Sequence, residues 1–147
     1  MYGYVRDVLL EKGNAVHTIP VGATVRDAVN HMNAYGVGAL VVLQLGDMVG
    51  IFTERDVLRR VVDAGLHPSV TRVADVMTAP VLTIELGTRV SDAMELMTEH
   101  RCRHLPVVEN DELVGMISIG DLLRWVTRVQ LNDIQYMTEY ISGPRPV

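Results

Sequence analysis

The stretch GIFTERDVLRRVV at residues 50–62 returns in altered form as GMISIGDLLRWVT at residues 115–127. The two stretches are 115 − 50 = 65 residues apart, and the same offset aligns residues 16–61 with residues 81–126 without a gap. In that alignment 16 of 46 positions are identical, whereas about 3 are expected for unrelated sequences of average composition. The chain therefore contains an internal duplication.

Each copy predicts the same order of elements, β-α-β-β-α. A short β-branched run comes first, and a glycine marks the turn after it. Apolar residues at helical spacing follow from Val25 in copy one and from Val90 in copy two. The Thr24-x-x-Asp27 pattern is typical of a capping box. The predicted strands are 16–19, 39–43 and 48–52 in copy one and 81–84, 105–108 and 113–117 in copy two, and the closing helices are 56–62 and 121–129.

We assign residues 1–65 to copy one, residues 66–129 to copy two and residues 130–147 to a C-terminal helix and tail. Residues 131–141 carry apolar side chains at helical spacing and predict a short additional helix. Upstream of the main alignment the offset becomes 68, so copy one has three additional residues, which we place in a loop at 11–14. Two copies are too few for an open solenoid, so we expect a pseudo-twofold pair around a shared core.

Composition and charge exclude several classes of function. The formal net charge of −5 argues against a general nucleic-acid binder, which needs a basic face. The longest aliphatic run, at residues 39–43, is far shorter than the roughly 20 residues that span a bilayer, so we expect no membrane segment. The chain has one cysteine, Cys102, and no pattern of an N-terminal leader, and we therefore expect the cytoplasm as its compartment.

The start of each closing helix carries a hydroxyl followed three residues later by an aspartate, Thr53 to Asp56 and Ser118 to Asp121. This spacing is typical of helix capping, because the hydroxyl and the carboxylate satisfy free N–H groups of the first turn. The same geometry can hold a phosphate at the helix N-terminus, while the aspartate accepts two hydrogen bonds from a ribose diol. Capping and ligand binding are compatible interpretations.

The two copies contain an ordered set of motifs: Val25-x-Asp-Ala28, Gly50-Ile-Phe-Thr-Glu-Arg-Asp56, Arg103-His-Leu-Pro-Val107 and Gly115-x-x-Ser-x-x-Asp121. This doubled pattern resembles the CBS (cystathionine-β-synthase) domain pair, or Bateman module, in its small stand-alone bacterial form. The resemblance covers about residues 5–128 and implies an α/β (α+β) fold of two packed β-α-β-β-α repeats. It also implies a non-catalytic regulatory module that binds AMP or ATP, with NAD as a bulkier alternative, and that forms a homodimer.

The resemblance further implies two clefts, each built from both copies. The first cleft would place residues of copy one against the turn of copy two: Thr18, Val37, Gly38 and Ala39 against Ser118, Gly120 and Asp121. The second cleft would place residues of copy two against the turn of copy one: Thr83, Cys102, Arg103 and His104 against Thr53, Arg55 and Asp56.

The two clefts differ in charge along the alignment. Arg55 aligns with Gly120, and Arg103 aligns with Gly38. We therefore expect cations in the second cleft only, with a tighter hold there on the phosphate of AMP or ATP. The first cleft would be looser and would admit a larger ligand such as NAD. On this hypothesis, replacing the aspartate of the second cleft by alanine weakens nucleotide binding more than the same change in the first.

Other interpretations stay open in the sequence. His100, Cys102 and His104 alternate and could surround a zinc ion, although no fourth ligand lies at a typical spacing. Cys102 could act as a nucleophile with His104 as its base. A structural dimer, whose motifs only cap helices and bind no ligand, is a further alternative. The remaining arginines of the closing helices are interpreted as solvated surface residues: Arg59, Arg60 and Arg124.

Overall fold

The fold consists of six α-helices, one π-helix and five strands in two small sheets, in a computed structural model that describes residues 2–142. Residues 143–147 of the expected tail lie outside the described residues. The elements in chain order are α1 (Val5–Lys12), β1 (Thr18–Pro20), α2 (Val25–Tyr35), β2 (Ala39–Gln44), β3 (Asp47–Thr53), α3 (Glu54–Asp56), the π-helix (Val57–Val62), α4 (Val73–Val76), α5 (Val90–His100), β4 (His104–Glu109), β5 (Glu112–Ser118) and α6 (Ile119–Ser142).

An antiparallel hairpin forms the centre of each copy. β2 pairs with β3, and β4 pairs with β5, in the registers that the duplication predicts. The φ angles are 51° at Leu45 and 85° at Gly46 in the first turn, and 50° at Asn110 and 63° at Asp111 in the second. Two successive residues with positive φ give a turn whose twist matches that of the strands. Both predicted hairpins are confirmed.

The first strand of each copy differs from the prediction. In copy one, β1 lies parallel to β2, and the Val41 N–H donates to the carbonyl of His17 at 3.0 Å. In copy two, the predicted strand at 81–84 is reduced to an isolated bridge at Ile84. The residue equivalent to Val41 is Pro106, which has no N–H to donate. The prediction of a full strand at 81–84 is therefore wrong.

The short helix at the start of each copy packs on the other copy. Val5 and Leu9 of α1 lie in a buried cluster formed mainly by copy two. Val73 and Val76 of α4 lie in the corresponding cluster of copy one. The hairpin of copy two admits α1 because Gly115 has no side chain: a Cβ there would lie 2.8 Å from Cδ1 of Leu9. We call α1 and α4 the leader helices, and together they hold the two copies against each other.

A third buried cluster joins the two hairpins directly. Ala39, Val41 and Ile51 of copy one pack with Met116 of copy two. This cluster is the shared core that the pseudo-twofold arrangement predicts, and it brings the hairpins of both copies to one junction.

The closing helices differ from each other and from the prediction. In copy one, a single turn of α3 continues as the π-helix. In copy two, α6 runs without a break over 24 residues, so the prediction of a separate helix at 131–141 is wrong. No glycine or proline lies between residues 121 and 142, so no residue there interrupts the hydrogen bonding of the helix. None of the helices in residues 2–142 is both long and apolar enough to cross a membrane.

The packing of α1 on copy two can be tested with two neighbouring leucines. Leu9 is 6% exposed and Leu10 is 83% exposed. We expect Leu9→Ala to lower the free energy of unfolding by about 2–5 kcal/mol, because it opens a cavity against copy two. Leu10→Ala should change it by no more than about 0.5 kcal/mol. Urea denaturation followed by circular dichroism measures both, and equal losses would contradict this orientation of α1.

Candidate functional site at the junction of the two copies

The two turns that lead from a hairpin into a closing helix have the same local structure. The backbone N–H of Thr53 donates to Asp56 Oδ2 at 3.0 Å, and the N–H of Asp56 donates to Thr53 Oγ1 at 3.3 Å. Ser118 and Asp121 form the same reciprocal pair at 2.8 and 3.1 Å. The predicted capping role is confirmed in both copies, so each aspartate is held in a defined position.

Asp56 is the one buried charged residue among those that the structure describes, with 5% of its surface exposed. Its Oδ1 accepts a hydrogen bond from Thr78 Oγ1 at 3.0 Å. Nε of Arg60 lies 3.7 Å from the same oxygen. Together with the Thr53 cap, these contacts engage both carboxylate oxygens. Arg60 reaches this carboxylate from the surface, because its side chain is still 49% exposed, as the interpretation of a solvated residue predicts.

Asp121 has a different set of partners. Lys12 Nζ lies 2.7 Å from its Oδ2, and Arg124 lies 2.7 Å from its Oδ1. Lys12 also donates to the carbonyl of Met116 at 2.7 Å. Because α1 belongs to copy one, copy one supplies a cation to the turn of copy two. The prediction that cations are confined to the second cleft is therefore wrong. The interpretation of Arg124 as a surface residue is confirmed, because its side chain is 74% exposed.

The three-residue insertion of copy one explains the position of Lys12. The sequence predicts a loop at residues 11–14, but α1 continues through Lys12 and ends at Gly13, whose φ is 95°. The glycine is needed there because side chains disfavour this backbone conformation. The added length carries the ammonium group to Asp121. An insertion in one copy only was the sequence signal that could have identified Lys12.

Two pKa values report the electrostatics of the junction. Burial acts to raise the pKa of Asp121, but hydrogen bonds from Lys12 and from the Ser118 backbone outweigh it, so the pKa lies below its ordinary value. Burial lowers the pKa of His104, and the carboxylates of Glu54 and Asp121 oppose this only in part. At neutral pH, Asp121 is therefore ionised and His104 is uncharged.

Gly38, which was predicted for the first cleft, lies close to Glu54 and to His104. The Glu54 N–H donates to the Gly38 carbonyl at 3.1 Å. A Cβ on Gly38 would lie 2.6 Å from Glu54 Oε1 and 3.3 Å from His104 Cε1. His104 is also the strand partner of Ser118. His104 was predicted for the second cleft. The structure places it between Gly38 and Ser118, two residues that were predicted for the first cleft.

The other residues predicted for the first cleft lie on three elements and in the loop before β2. Thr18 begins β1 opposite Val41 of β2. Val37 is half-buried against the core of copy one, and Ala39 is buried in the shared cluster. Gly120, in the first turn of α6, is within reach of Arg124: a Cβ there would lie 3.4 Å from a guanidinium nitrogen.

The second cleft is assembled around Arg55. Its guanidinium donates to the carbonyl of Arg101, directly before Cys102. The carbonyl of Arg103 accepts a hydrogen bond from the N–H of Ile119 at 2.8 Å, which ties this segment to the start of α6. Thr83 is exposed. The turn of copy one and the segment that leads into β4 are thus neighbours.

The alternative chemistries receive no support from the geometry. Burial raises the pKa of the Cys102 thiol and outweighs the opposing effect of Arg55, so the thiolate that a nucleophile requires is disfavoured. Within residues 2–142, no three His, Cys, Asp or Glu side chains are grouped so that they could hold a metal ion. The alternation of His100, Cys102 and His104 along the chain therefore does not assemble a metal site.

Two related copies meet at their hairpins, and each has a capped hydroxyl-x-x-Asp turn; this arrangement is that of a tandem CBS-type pair. The family model described as "CBS domain" matches residues 5–63 and 73–128. The chain belongs to the CBS-domain family, as the sequence resemblance predicts.

Named relatives and solved structures agree with this membership. The CBS domain-containing protein CBSX3, mitochondrial, of Arabidopsis thaliana is 38% identical over 95% of this chain and 72% of its own length. A putative signal-transduction protein with CBS domains from Burkholderia ambifaria is 42% identical, with a TM-score of 0.82 over 84% of this chain and 93% of that chain. A hexameric CBS-CP12 protein from bloom-forming cyanobacteria is 30% identical, with a TM-score of 0.73 over 82% of this chain and 66% of that chain.

The contact between Lys12 and Asp121 predicts a shift in acid stability. The folded pKa of Asp121 is lowered from 3.8, so its contribution to stability is present above 3.8 and is lost as the pH falls through the lower folded value. Lys12→Met should raise the pKa of Asp121 toward its ordinary value, so the stability that this carboxylate contributes above pH 3.8 should become smaller. Carboxyl titration by NMR measures the change.

Asp27 is the internal reference for this titration. Its pKa is lowered mainly by the backbone hydrogen bond from Thr24, and Lys12 does not contribute to that shift. It should therefore titrate identically in the wild type and in Lys12→Met. An unchanged Asp121 pKa in the variant would contradict the contact.

Proposed function

We propose that this chain is a regulatory module that binds adenine nucleotides, AMP or ATP with NAD as a bulkier alternative, in two clefts between its copies. The observation that carries the proposal is the position of the two capped turns. Each places an aspartate, Asp56 or Asp121, at the start of a closing helix and beside residues of the opposite copy. A carboxylate held in this way can accept both hydroxyls of a ribose diol.

Each cleft has its own cation for the phosphate. Lys12 and Arg124 flank Asp121 in the first cleft. Arg55 lies beside the segment before Cys102 in the second cleft. Ammonium and guanidinium groups next to the first turn of a helix favour a bound phosphate. We therefore propose phosphate binding in both clefts, in place of the expectation that only the second would hold it.

The contacts of Lys12 suggest how binding is transmitted. A ribose diol in the first cleft competes with Lys12 for Asp121, because Lys12 already donates to Oδ2, one of the two carboxylate oxygens that the diol would use. Lys12 is the last residue of α1, whose other end is packed in the core of copy two. Release of Lys12 therefore changes how α1 is held. A ligand shifts the module only as far as its affinity differs between the two arrangements.

We propose further that the module works as a homodimer in the cytoplasm and without catalysis of its own. CBS-domain proteins commonly assemble into oligomers, and the relatives described above are named for their CBS domains or for signal transduction. The regulated partner would be a separate protein that reads the arrangement of the two copies.

A ligand-free structural dimer is the second candidate. It is favoured by one observation: Thr53, Thr78 and Arg60 already engage both oxygens of Asp56 within the chain. A thermal-shift experiment separates the two candidates. A nucleotide at 100 times its dissociation constant adds about 2.7 kcal/mol to the stability of the folded state. Absence of any shift with AMP, ATP or NAD would favour the structural dimer.

Isothermal titration with AMP and ATP tests the two-cleft proposal. We expect two sites per wild-type chain, with one site weakened at least tenfold in Asp56→Ala and the other in Asp121→Ala. The expected loss reflects hydrogen bonds to a charged group, each of which contributes about 1.5–3 kcal/mol.

The matched control is Asp27→Ala. Asp27 forms an equivalent capping box with Thr24, with both hydrogen bonds at 3.1 Å, at the start of α2 rather than of a closing helix. This variant removes the same local chemistry and should retain both sites at wild-type affinity. If Asp27→Ala weakened binding as much as Asp56→Ala, the two turns would have no special role.

A further inference from the structure

The second half of α6 presents an apolar face that its own copy does not cover. Every residue from 130 to 141 is exposed. The apolar side chains of this half are 59–79% exposed on one side of the helix: Leu131, Ile134, Met137 and Ile141. Apolar side chains that line up on one face indicate an interaction surface, whereas scattered ones do not.

The same face continues along the first half of α6. At 100° per residue, the side chains of Leu123, Thr127, Leu131, Ile134 and Ile141 all project within a stripe about 80° wide. In the first half, the stripe borders a shallow, open groove between side chains of α6 itself, of about 310 Å³ and lined by Leu123, Arg124, Thr127, Arg128 and Leu131. The helix therefore carries a groove at one end and an unpaired apolar ridge at the other.

We propose that the groove is occupied by the ridge, residues 131–141, of a second copy of this chain, so that the two α6 helices pack antiparallel and cross near Leu131 and Ile134. An antiparallel twofold pairing buries both halves of the stripe at once, because each helix supplies a groove and a ridge. The pairing specifies a surface of the homodimer proposed above and rests on that proposal.

The distribution of charge along α6 supports the antiparallel direction. Beyond the first turn, which contains Asp121, the first half carries Arg124 and Arg128, whereas the second half carries Asp133 and Glu139. Antiparallel packing places the basic half of each helix beside the acidic half of the other, whereas parallel packing places like charges together. The side chains of Arg124 and Arg128 are 74% and 46% exposed despite their contacts within the chain, and they can therefore reach a partner.

The length of the helix supports a partner of the same kind. α6 has 24 residues, which corresponds to about 36 Å. Its second half is exposed over residues 130–141, and isolated helical segments of about 12 residues are marginal in water. A second α6 of equal length covers this half along its whole extent.

Sedimentation velocity of the full chain over a range of concentrations tests the pairing. We expect the double variant Leu131→Gln, Ile134→Gln to raise the dimer dissociation constant about 100-fold or more, because four apolar side chains per dimer are lost from the interface. The matched control is Tyr136→Gln, Tyr140→Gln, two residues that are 71% and 81% exposed on the opposite side of the same helix. The control should change the constant less than threefold.

The outcomes separate this proposal from the proposed function. A dimer of wild-type affinity in Leu131→Gln, Ile134→Gln overturns the α6 pairing alone, and so does a control that weakens the dimer equally. A monomeric wild type overturns the homodimer as well. Nucleotide titration of the same variant reports on the clefts independently, and circular dichroism shows that it is folded.

Spin labels test the direction of the pairing. The label is attached at Glu139→Cys in a chain that also carries Cys102→Ser, so each dimer has two labels. If the helices are antiparallel, the two labels lie about 20 Å apart along the helix axis. If the helices are parallel, the two labels lie side by side, about 10 Å apart. Pulsed electron paramagnetic resonance distinguishes these separations. The shorter distance would overturn the antiparallel arrangement.

Discussion

The packing of each leader helix on the hairpin of the opposite copy determines the rest of the structure. Leu9 of α1 lies against Gly115, and Met77, directly after α4, lies against Gly50. These are equivalent contacts, since 77 − 9 = 68 is the offset between the leader segments. A side chain on either glycine would meet its neighbour at less than 3 Å. The two copies therefore cannot separate without exposing both cores.

This exchange also sets the chemistry of the two turns. The leader segment of copy one ends beside Asp121 with an ammonium group, that of Lys12. The leader segment of copy two ends beside Asp56 with a hydroxyl, that of Thr78. Two carboxylates with the same cap thus have different neighbours, because the segments that reach them differ in length and in sequence. The asymmetry between the clefts originates in the leader segments, and not only in the residues of the clefts themselves.

Much of the candidate site could be predicted because it is local. The hydroxyl and the aspartate of each turn are three residues apart, so their hydrogen bonds follow from helix geometry. Lys12 could not be placed, because its contact with Asp121 spans 109 residues. His104 was placed in one cleft by alignment, but the packing of Gly38 against its ring puts it at the junction.

The sequence by itself determined the duplication, the order of elements, the hairpins and the caps, since each depends on residues near one another in the chain. Only the tertiary structure decided which copy covers which leader helix, which cations reach Asp121, and that α6 continues past the body of the second copy. It also decided the loss of a strand at 81–84, because the missing N–H of Pro106 matters only when two segments lie side by side. Long-range contacts of this kind depend on the geometry of packing, which no local pattern contains.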